Sequence, residues 1–349
     1  MGHCYRRSEK FRGGALADAD QIAGFLASAG WAGATRSNLA GDASNRSYDR
    51  LALGAERRVL MIAPPEKGED TGPFARVTGI LRMGGLSAPE IYARDADLGL
   101  MLIEDLGDDL FARLAGDLDL EQQIYHAAVD VLGDVAELGV QPGIGAYDVA
   151  TYQREARLIL DWYIPAVVGK GVSAAAEEEF LSLIEGACGD ARQDTLVLRD
   201  YHAENLLWLP DREGTARVGL IDYQDALMGD AVYDLVSLTE DARRDVAKPL
   251  QEALKRHFLE VSGYYQGHFE NVYHALGAHR NIKIVGIFAR LCIRDGKASY
   301  PDMIPRVWGH LKRDLAHPKL TALKAWIDRH VPAPDAAAIQ AIKDQCRAR

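Results

Sequence analysis

Apolar positions along the first hundred residues change their period, which predicts a small unit that mixes helix and strand. Over residues 18–29 the apolar side chains recur every three or four positions and Gly30 follows, so the pattern predicts an opening helix. Residues 46–53 then alternate, Gly54 marks a turn, and residues 59–62 resume as an apolar run. This second pattern predicts an antiparallel hairpin.

Beyond residue 110 the pattern is mainly helical. A short helix over 73–85 and a strand over 99–103 complete the first unit, and a long apolar stripe then runs through 124–138. A second stripe runs through 158–163, where Pro165 is expected to end the helix. Helical patterning also fills the last third of the chain. We therefore predict the α+β class, with a small sheet-containing part followed by a larger helical part.

One polar loop interrupts the helical part and carries the candidate chemistry. Short predicted strands flank residues 198–205, and a predicted hairpin further on returns Asp222 to the vicinity of Asn205. Phosphoryl transfer needs one carboxylate that accepts the proton of an attacking hydroxyl, and oxygen ligands that hold Mg²⁺ against phosphates. Asp200, Asn205 and Asp222 supply these three groups, so the pattern favours a phosphoryl-transfer enzyme.

The charge balance argues against one class of partner. The 349 residues carry 40 basic and 51 acidic side chains, a formal net charge of −11, whereas nucleic-acid binding needs clustered positive charge. The charge is uneven, because residues 111–240 carry 8 basic and 24 acidic side chains and residues 241–349 carry 19 and 11. We expect small-molecule partners and no nucleic acid.

Cysteine spacing and hydropathy bear on the location of the protein. The four cysteines lie far apart without a C-x-x-C pair, which favours reduced thiols over a zinc site or a disulfide framework. No stretch approaches the roughly 18 apolar residues of a membrane helix. The segment after Arg6 and Arg7 lacks the apolar core of an export signal. We expect a cytoplasmic monomer without a membrane partner.

The polar loop resembles the catalytic loop of the protein-kinase-like superfamily, and in particular that of its aminoglycoside phosphotransferase branch. The motif H-R-D-x-x-x-x-N matches at Arg199, Asp200 and Asn205, with Leu198 in place of the histidine. The resemblance implies that Asp200 is the catalytic base and that Asn205 and Asp222 are ligands of Mg²⁺. It also implies a bilobal kinase-like fold that uses ATP.

The same resemblance divides the chain into lobes. Residues 1–103 correspond to a nucleotide-binding lobe, and residues 104–109 to a hinge at which Glu104 and Leu106 meet adenine. Residues 110–349 correspond to a larger, mainly helical lobe with the catalytic loop and the substrate site.

Loop 41–48 is the expected phosphate site, although it lacks the pattern G-x-G-x-x-G. Its role would rest on backbone N–H groups and on the side chains of Ser44 and Asn45, but the same residues also suit a simple tight turn between strands. The third strand lacks the lysine that protein kinases place there. The candidates for its replacement are Arg57, Arg58 and Lys67.

Polar residues around the catalytic loop have structural interpretations as well. Asp234 resembles the aspartate with which the family anchors this loop from a buried helix, and we expect that structural role. Asp225 is either a second metal ligand or a helix cap. His202 is expected to brace Asp200 or Asp222 by a hydrogen bond, rather than to contact phosphate.

Within the branch, the chain most resembles the anomeric N-acetylmuramate/N-acetylglucosamine kinases of bacterial cell-wall recycling. The similar segments are 41–48, 63–66, 222–226 and 241–245. This resemblance implies that an amino sugar is phosphorylated on its C1 hydroxyl. The alternatives are a kinase of the same fold that acts on an aminoglycoside, choline or a homoserine-like hydroxyl, and a nucleotide-binding pseudokinase without catalysis.

Two residues are candidates for binding the sugar. Arg243 would pair with the lactyl carboxylate of N-acetylmuramate through two hydrogen bonds, unless it and Arg244 pair with Asp241 and Asp245 on a solvated helix face. Trp162 offers a flat apolar face for a sugar ring, although aromatic residues at helical spacing are more often part of the core.

Overall fold

The computed structural model describes residues 18–39 and 45–347. The chain divides into two compact units, one of residues up to 82 together with 88–107, and one of residues 83–87 together with 108 onward. Within the described ranges, no helix combines the length and the apolar character that crossing a bilayer requires.

In its described residues, the first unit is a small sheet with two α-helices. Its described elements are α1 (Ala19–Ser28), β1 (Thr35–Leu39), β2 (Ser47–Leu53), β3 (Glu56–Ile62), α2 (Gly72–Met83), β4 (Ile91–Asp95) and β5 (Leu100–Glu104). The strands form a five-stranded antiparallel sheet in the order β1-β2-β3-β5-β4. The predicted helices, hairpin and last strand are confirmed. The edge strands β1 and β4 escaped prediction because their partly exposed side chains show no apolar alternation.

Helix α1 packs its apolar face on this sheet. It begins after Asp18, whose side chain accepts the N–H of Gln21 (2.8 Å), while Gln21 Oε1 accepts the N–H of Asp18 (2.9 Å). The buried cluster consists of Ile22, Phe25, Leu26, Trp31, Leu51, Leu60, Leu100 and Leu102. Burial of this apolar surface holds the helix on the sheet.

The second unit is mainly helical. Its helices are α3 (Phe111–Leu114), α4 (Leu118–Glu137), α5 (Val149–Ala156), α6 (Ile164–Val168), α7 (Ala174–Cys188), α8 (Val232–Thr239), α9 (Lys248–Val261), α10 (Gln266–Ile293), α11 (Ile304–Asp314), α12 (Thr321–His330) and α13 (Ala336–Lys343). The predicted long helix is confirmed by α4. The prediction that Pro165 ends a helix is wrong, because a π-helical turn, Ile159–Tyr163, leads directly into α6. Pro165 occupies the first turn of α6, where its missing N–H is not required.

Two short antiparallel pairs position the polar loop in the second unit. The strands are β6 (Thr195–Val197), β7 (Leu206–Trp208), β8 (Val218–Leu220) and β9 (Leu227–Gly229). The predicted hairpin is confirmed, since β7 pairs with β8 with Leu206 opposite Leu220, while β6 pairs with the unpredicted β9. Residues 83–87 group with this unit because the hydroxyl of Ser87 donates to the carbonyl of Ala216 (2.6 Å). The α+β class is confirmed.

Candidate active site

The polar loop lies between β6 and β7, and the segment after β8 approaches it. The N–H of Ile221 donates to the carbonyl of Asn205 (3.2 Å), which extends the β7–β8 pair beyond its strands. Asn205 Nδ2 then lies 3.4 Å from Asp222 Oδ2 and donates to the backbone carbonyl of Asp200 (2.9 Å). The predicted proximity of Asn205 and Asp222 is confirmed.

The oxygen atoms of this cluster suit a hard cation. Asp200 is exposed, Asp222 is half-buried and Asn205 is buried. Because the amide nitrogen of Asn205 is directed to Asp200, its amide oxygen is the atom suited to a metal. No group of three or more His, Cys, Asp or Glu side chains among the described residues suits a metal ion. An amide oxygen and a carboxylate are ligand types that suit Mg²⁺, which commonly takes its remaining ligands from phosphate and water.

Asp234 fixes the backbone where the loop begins. It is buried on α8, and its two carboxylate oxygens accept the N–H groups of Leu198 (2.6 Å) and Arg199 (2.8 Å). Burial raises the pKa of Asp234 to about 7, although both N–H donors oppose the rise. Arg199 adopts a φ of 73°, in the left-handed region. The structural role expected for Asp234 is confirmed.

A buried charge network lies behind the loop, and sequence reasoning missed it. Glu155 on α5 accepts hydrogen bonds from Arg199 and from the hydroxyl of Tyr147, and Lys283 Nζ on α10 lies 3.0 Å from its carboxylate. Arg199 Nη1 also donates to the carbonyl of Asp225 (3.0 Å), which joins the two loops. The signal that could have revealed the network is a lysine within an otherwise apolar stretch of α10.

Nearby cations keep the carboxylates of Glu155 and Asp200 ionised. Burial by itself would raise the pKa of Glu155, but Lys283 and Arg199 lower it to about 2. Desolvation also opposes ionisation of Asp200, and the Lys283 charge, ahead of other nearby cations, holds the pKa of that carboxyl below its usual range. Asp200 is therefore a carboxylate at neutral pH.

His202 and Arg243 form a pair beside the loop. Arg243 Nη1 donates to Nε2 of the buried His202 (2.9 Å), and Arg243 Nε lies 2.7 Å from Glu204. Burial and the Arg243 charge lower the pKa of His202 to about 4, so the ring is neutral and carries its proton on Nδ1. Nδ1 has no hydrogen-bond partner in the described part of the chain. The expected brace from His202 to Asp200 or Asp222 is therefore wrong.

The two arginines lie on the connection between α8 and α9, not on a helix. Arg244 Nη2 lies 2.7 Å from Glu121, and Asp245 pairs with Arg306 (2.8 Å). The alternative in which the arginines pair with neighbouring aspartates on a solvated helix face is wrong. Arg243 instead contacts the predicted catalytic loop.

The structure also places Trp162 and Asp225. Trp162 is half-buried in the π-helical turn, whereas its neighbour Tyr163 is fully buried and donates its hydroxyl to the carbonyl of Pro332 (2.8 Å). Asp225 is exposed, and strand β9 follows it from Leu227. The helix-cap interpretation of Asp225 is therefore wrong.

Of the two residues predicted at the phosphates, the structure describes Asn45, which lies just before β2. Ser44 lies outside the described residues. The N–H of Asn45 donates to Glu69 Oε1 (3.2 Å), and its amide donates to the carbonyl of Lys67 (3.3 Å). Arg46 Nε donates to the other oxygen of Glu69 (2.8 Å). Glu69 therefore holds two successive residues at the base of this loop.

Of the residues predicted at adenine, Glu104 ends β5 and Leu106 follows this strand. The N–H of Glu104 donates to the carbonyl of Glu90 (2.8 Å). Asp105 pairs with Arg50 Nε (2.7 Å), and Leu106 is half-buried. This segment is thus fastened within the first unit through side chains and backbone.

The candidates for the missing lysine differ in their surroundings. The guanidinium of Arg58 lies 4.0 Å from the ring centre of Tyr92 and 5.5 Å from that of Trp31. Arg57 and Lys67 are exposed. Arg58 is therefore engaged in cation–π contacts.

Comparison with known proteins identifies the family. Residues 35–269 match the phosphotransferase enzyme family. The chain is 37% identical over 349 residues to the N-acetylmuramate/N-acetylglucosamine kinase of Caulobacter vibrioides, covering 89% of this chain and 96% of that relative. The fold is similar to that of a choline/ethanolamine kinase family protein from Mesorhizobium loti, with a TM-score of 0.58, 13% identity and coverage of 94% of this chain and 97% of that one.

A second solved structure extends this likeness. A spectinomycin phosphotransferase in complex with ADP and spectinomycin has a TM-score of 0.55 at 12% identity, covering 94% of this chain and 99% of that one. The two structural likenesses show the fold only. Membership of the family is shown by the family match and by the 37% identity to the relative. The chain therefore belongs to the phosphotransferase enzyme family and is a kinase with an alcohol group as acceptor.

Proposed function

We propose that the protein is an ATP-dependent kinase that phosphorylates the anomeric C1 hydroxyl of N-acetylmuramate, N-acetylglucosamine or both. The observation that carries the proposal is the cluster in which the Asn205 amide lies between the Asp200 carbonyl (2.9 Å) and the Asp222 carboxylate (3.4 Å). The 37% identity to a relative of that name supports the substrate class. The ADP bound to a neighbour of the same fold supports the nucleotide.

Asp200 would act as the base. Its carboxylate accepts a hydrogen bond from the C1 hydroxyl and takes the proton as the hydroxyl oxygen bonds to the γ-phosphorus and ADP leaves. The anomeric hydroxyl is more acidic than an ordinary alcohol, so a carboxylate of modest basicity suffices. The Lys283 charge keeps Asp200 in the ionised form that this role needs.

Asn205 and Asp222 would hold Mg²⁺ through an amide oxygen and a carboxylate oxygen. When bound, Mg²⁺ neutralises charge on the phosphates. The first unit would bind the nucleotide, since the residues at the base of loop 41–48 are fixed by Glu69. The proposed nucleotide contacts are Ser44, Asn45, Glu104 and Leu106.

Arg243 and Trp162 would contact the sugar. The Arg243 side chain is 26% exposed, and its Glu204 partner is 48% exposed. An ion pair this open to solvent contributes only about 1 kcal/mol or less, so the lactyl carboxylate of N-acetylmuramate can replace Glu204 at the guanidinium. The half-buried Trp162 ring is the second proposed contact.

The role that we propose in the cell is the recovery of amino sugars released from peptidoglycan. The supply of ATP and the four separated cysteines support a cytoplasmic location. The monomeric state remains a prediction.

A panel assay with product analysis tests the function. The protein is incubated with Mg·ATP and, separately, N-acetylmuramate, N-acetylglucosamine, kanamycin and choline, and ³¹P NMR locates the new phosphate. We expect a phosphate on C1 of one or both amino sugars. A phosphate on another hydroxyl, or product only with kanamycin or choline, would contradict the proposed substrate. ATP binding without any product would contradict a kinase.

A further inference from the structure

Lys283 and Glu155 form a buried ion pair that no sequence motif marks. Both residues are 8% exposed, and Lys283 lies within α10. Its Nζ lies 3.0 Å from Glu155 and 3.3 Å from the hydroxyl of Tyr233. Replacing a buried ion pair by apolar residues is often neutral or stabilising, so stability alone does not account for such a pair.

Glu155 transmits this interaction to the catalytic loop. Its carboxylate is hydrogen-bonded to the guanidinium of Arg199, whose φ of 73° lies in a region that non-glycine residues avoid. Such a conformation persists only where the surrounding contacts fix it. The side chain of Arg199 is held on one side by Glu155 and on the other by the carbonyl of Asp225 (3.0 Å). The next residue in the chain is Asp200.

The charges of this network do not cancel. Lys283 and Arg199 are two cations that face the single carboxylate of Glu155. One positive charge therefore remains behind the loop, where it attracts the adjacent Asp200 carboxylate. Removing Lys283 would remove this excess charge and leave the Glu155 oxygen that it faces to the Tyr147 hydroxyl alone. Glu155 would then hold Arg199 less firmly.

We propose that Lys283 is a positioning residue for phosphoryl transfer, which through Glu155 holds Arg199 in its left-handed conformation and thereby aims the Asp200 carboxylate at the acceptor hydroxyl. The proposal rests on the kinase reaction described above, but not on which sugar is the acceptor. Lys283 touches neither substrate in this role, so its loss lowers kcat and leaves the KM values nearly unchanged.

Single variants provide the first test. We expect Lys283→Met to lower kcat about 100-fold, because small misplacements of a reacting group have effects of this size, with the KM values for ATP and sugar within about 3-fold of the wild type. Lys283→Arg keeps the charge and recovers most of kcat. The matched control is Lys255→Met, since Lys255 is a buried lysine on α9 that lies 3.9 Å from the ring centre of Tyr273. Its kcat should stay within about 2-fold of the wild type.

A double variant separates positioning from folding. Lys283→Met combined with Glu155→Gln removes both charges, so the melting temperature should recover towards the wild type while kcat stays at least about 10-fold low. Recovery of kcat together with the melting temperature would overturn the proposal, as would equal losses in the Lys255→Met control or a change confined to KM. If Lys283→Met does not fold, the double variant carries the test.

A third measurement, the rate of Mg·ATP hydrolysis without a sugar, tests the positioning role independently of which sugar is the acceptor. Water then takes the place of the hydroxyl, so Asp200 must still be aimed at the attacking oxygen. A wrong sugar assignment changes the panel assay but leaves the ratio of wild-type to variant hydrolysis intact. Equal rates of hydrolysis for the wild type and Lys283→Met would overturn the positioning role without bearing on the proposed sugar.

Discussion

Two buried clusters beside α10 shift the pKa values of their carboxyl groups in opposite directions. Beside the proposed catalytic loop, Lys283 and Arg199 face Glu155 and lower its pKa to about 2 against the effect of burial. Further along the unit, Glu240 and Asp314 face each other, and burial together with this mutual repulsion raises the pKa of Glu240 to about 7. Burial likewise raises the pKa of Asp314 to about 8. The first cluster is ionised at neutral pH and the second retains a proton.

The partners in the second cluster explain the difference. Asn281 Nδ2 donates to Glu240 (2.7 Å) and to Asp314 (3.1 Å), and His274 Nδ1 lies 3.0 Å from Asp314. Burial lowers the pKa of His274, so this ring is neutral. Neutral partners satisfy hydrogen bonds but do not compensate charge. Asn281 and Lys283 are near neighbours on one helix, so the type of partner, rather than the depth of burial, decides whether a carboxyl group ionises.

The two clusters therefore differ in their roles. The ionised cluster lies directly behind Arg199 and Asp200, where its charge would act on the proposed catalytic base. The protonated cluster joins the residue after α8 to α10 and to the end of α11, which makes it a packing element. Four substitutions test this division, and they are given in order of expected effect.

The largest effect is expected from Asp200→Asn. If the first cluster serves an ionised base, the loss of its carboxylate should lower kcat by about 1,000-fold. The melting temperature should barely change, because Asp200 is exposed. Asp211→Asn, in an exposed turn of the same unit, is the control. A variant that keeps most of its rate would show that the charge behind the loop does not act through Asp200.

Asp234→Asn tests the carboxylate that anchors the backbone at the start of the loop. An asparagine offers one acceptor oxygen where Leu198 and Arg199 present two N–H donors, and its own NH₂ would face the second donor. We expect the free energy of unfolding, measured in urea, to fall by about 3 kcal/mol. Asp328→Asn, on the exposed face of α12, should change it by less than about 0.5 kcal/mol. Similar values for the two variants would contradict an anchoring role.

Asp314→Asn tests the protonated cluster through its pH dependence. A carboxyl group with a raised pKa in the folded state keeps a proton that the unfolded chain releases near pH 4. Its contribution to the free energy of unfolding therefore falls as the pH rises from about 4 to the folded-state pKa of about 8. The asparagine cannot titrate, so between pH 5 and pH 6.5 the variant should gain about 2 kcal/mol relative to the wild type. Parallel pH profiles of the two proteins would place an ionised carboxylate in this cluster.

The smallest effect is expected from Arg243→Gln, which tests a cation on another side of the loop. If Arg243 serves the substrate, its loss should raise the KM for N-acetylmuramate about 10-fold and leave that for N-acetylglucosamine unchanged, because only the former carries a carboxylate. Arg256→Gln, which removes an exposed arginine on α9, is the control. Equal changes in KM for both sugars would indicate that Arg243 acts on the loop through His202 and not on the substrate.

Much of the fold and of the candidate site was predictable because it depends on local sequence patterns. The hairpin of β7 and β8 follows from two apolar runs and a turn, and it brings Asp222 to Asn205. The motif around Asp200 depends on spacing within one loop. The edge strands β1 and β4 and the π-helical turn before Pro165 were missed or misassigned, because exposure and packing rather than local periodicity shape them.

By itself the sequence determined the two-part helix and strand pattern, the loop that holds Asp200 and Asn205, and the anchor at Asp234. Only the tertiary structure decided which charges meet, since Lys283 pairs with Glu155 and Arg243 with His202 across long separations in the chain. Periodicity and motif spacing report on neighbours along the backbone. The ionisation of a buried group depends instead on neighbours in space, and folding brings those together from distant helices.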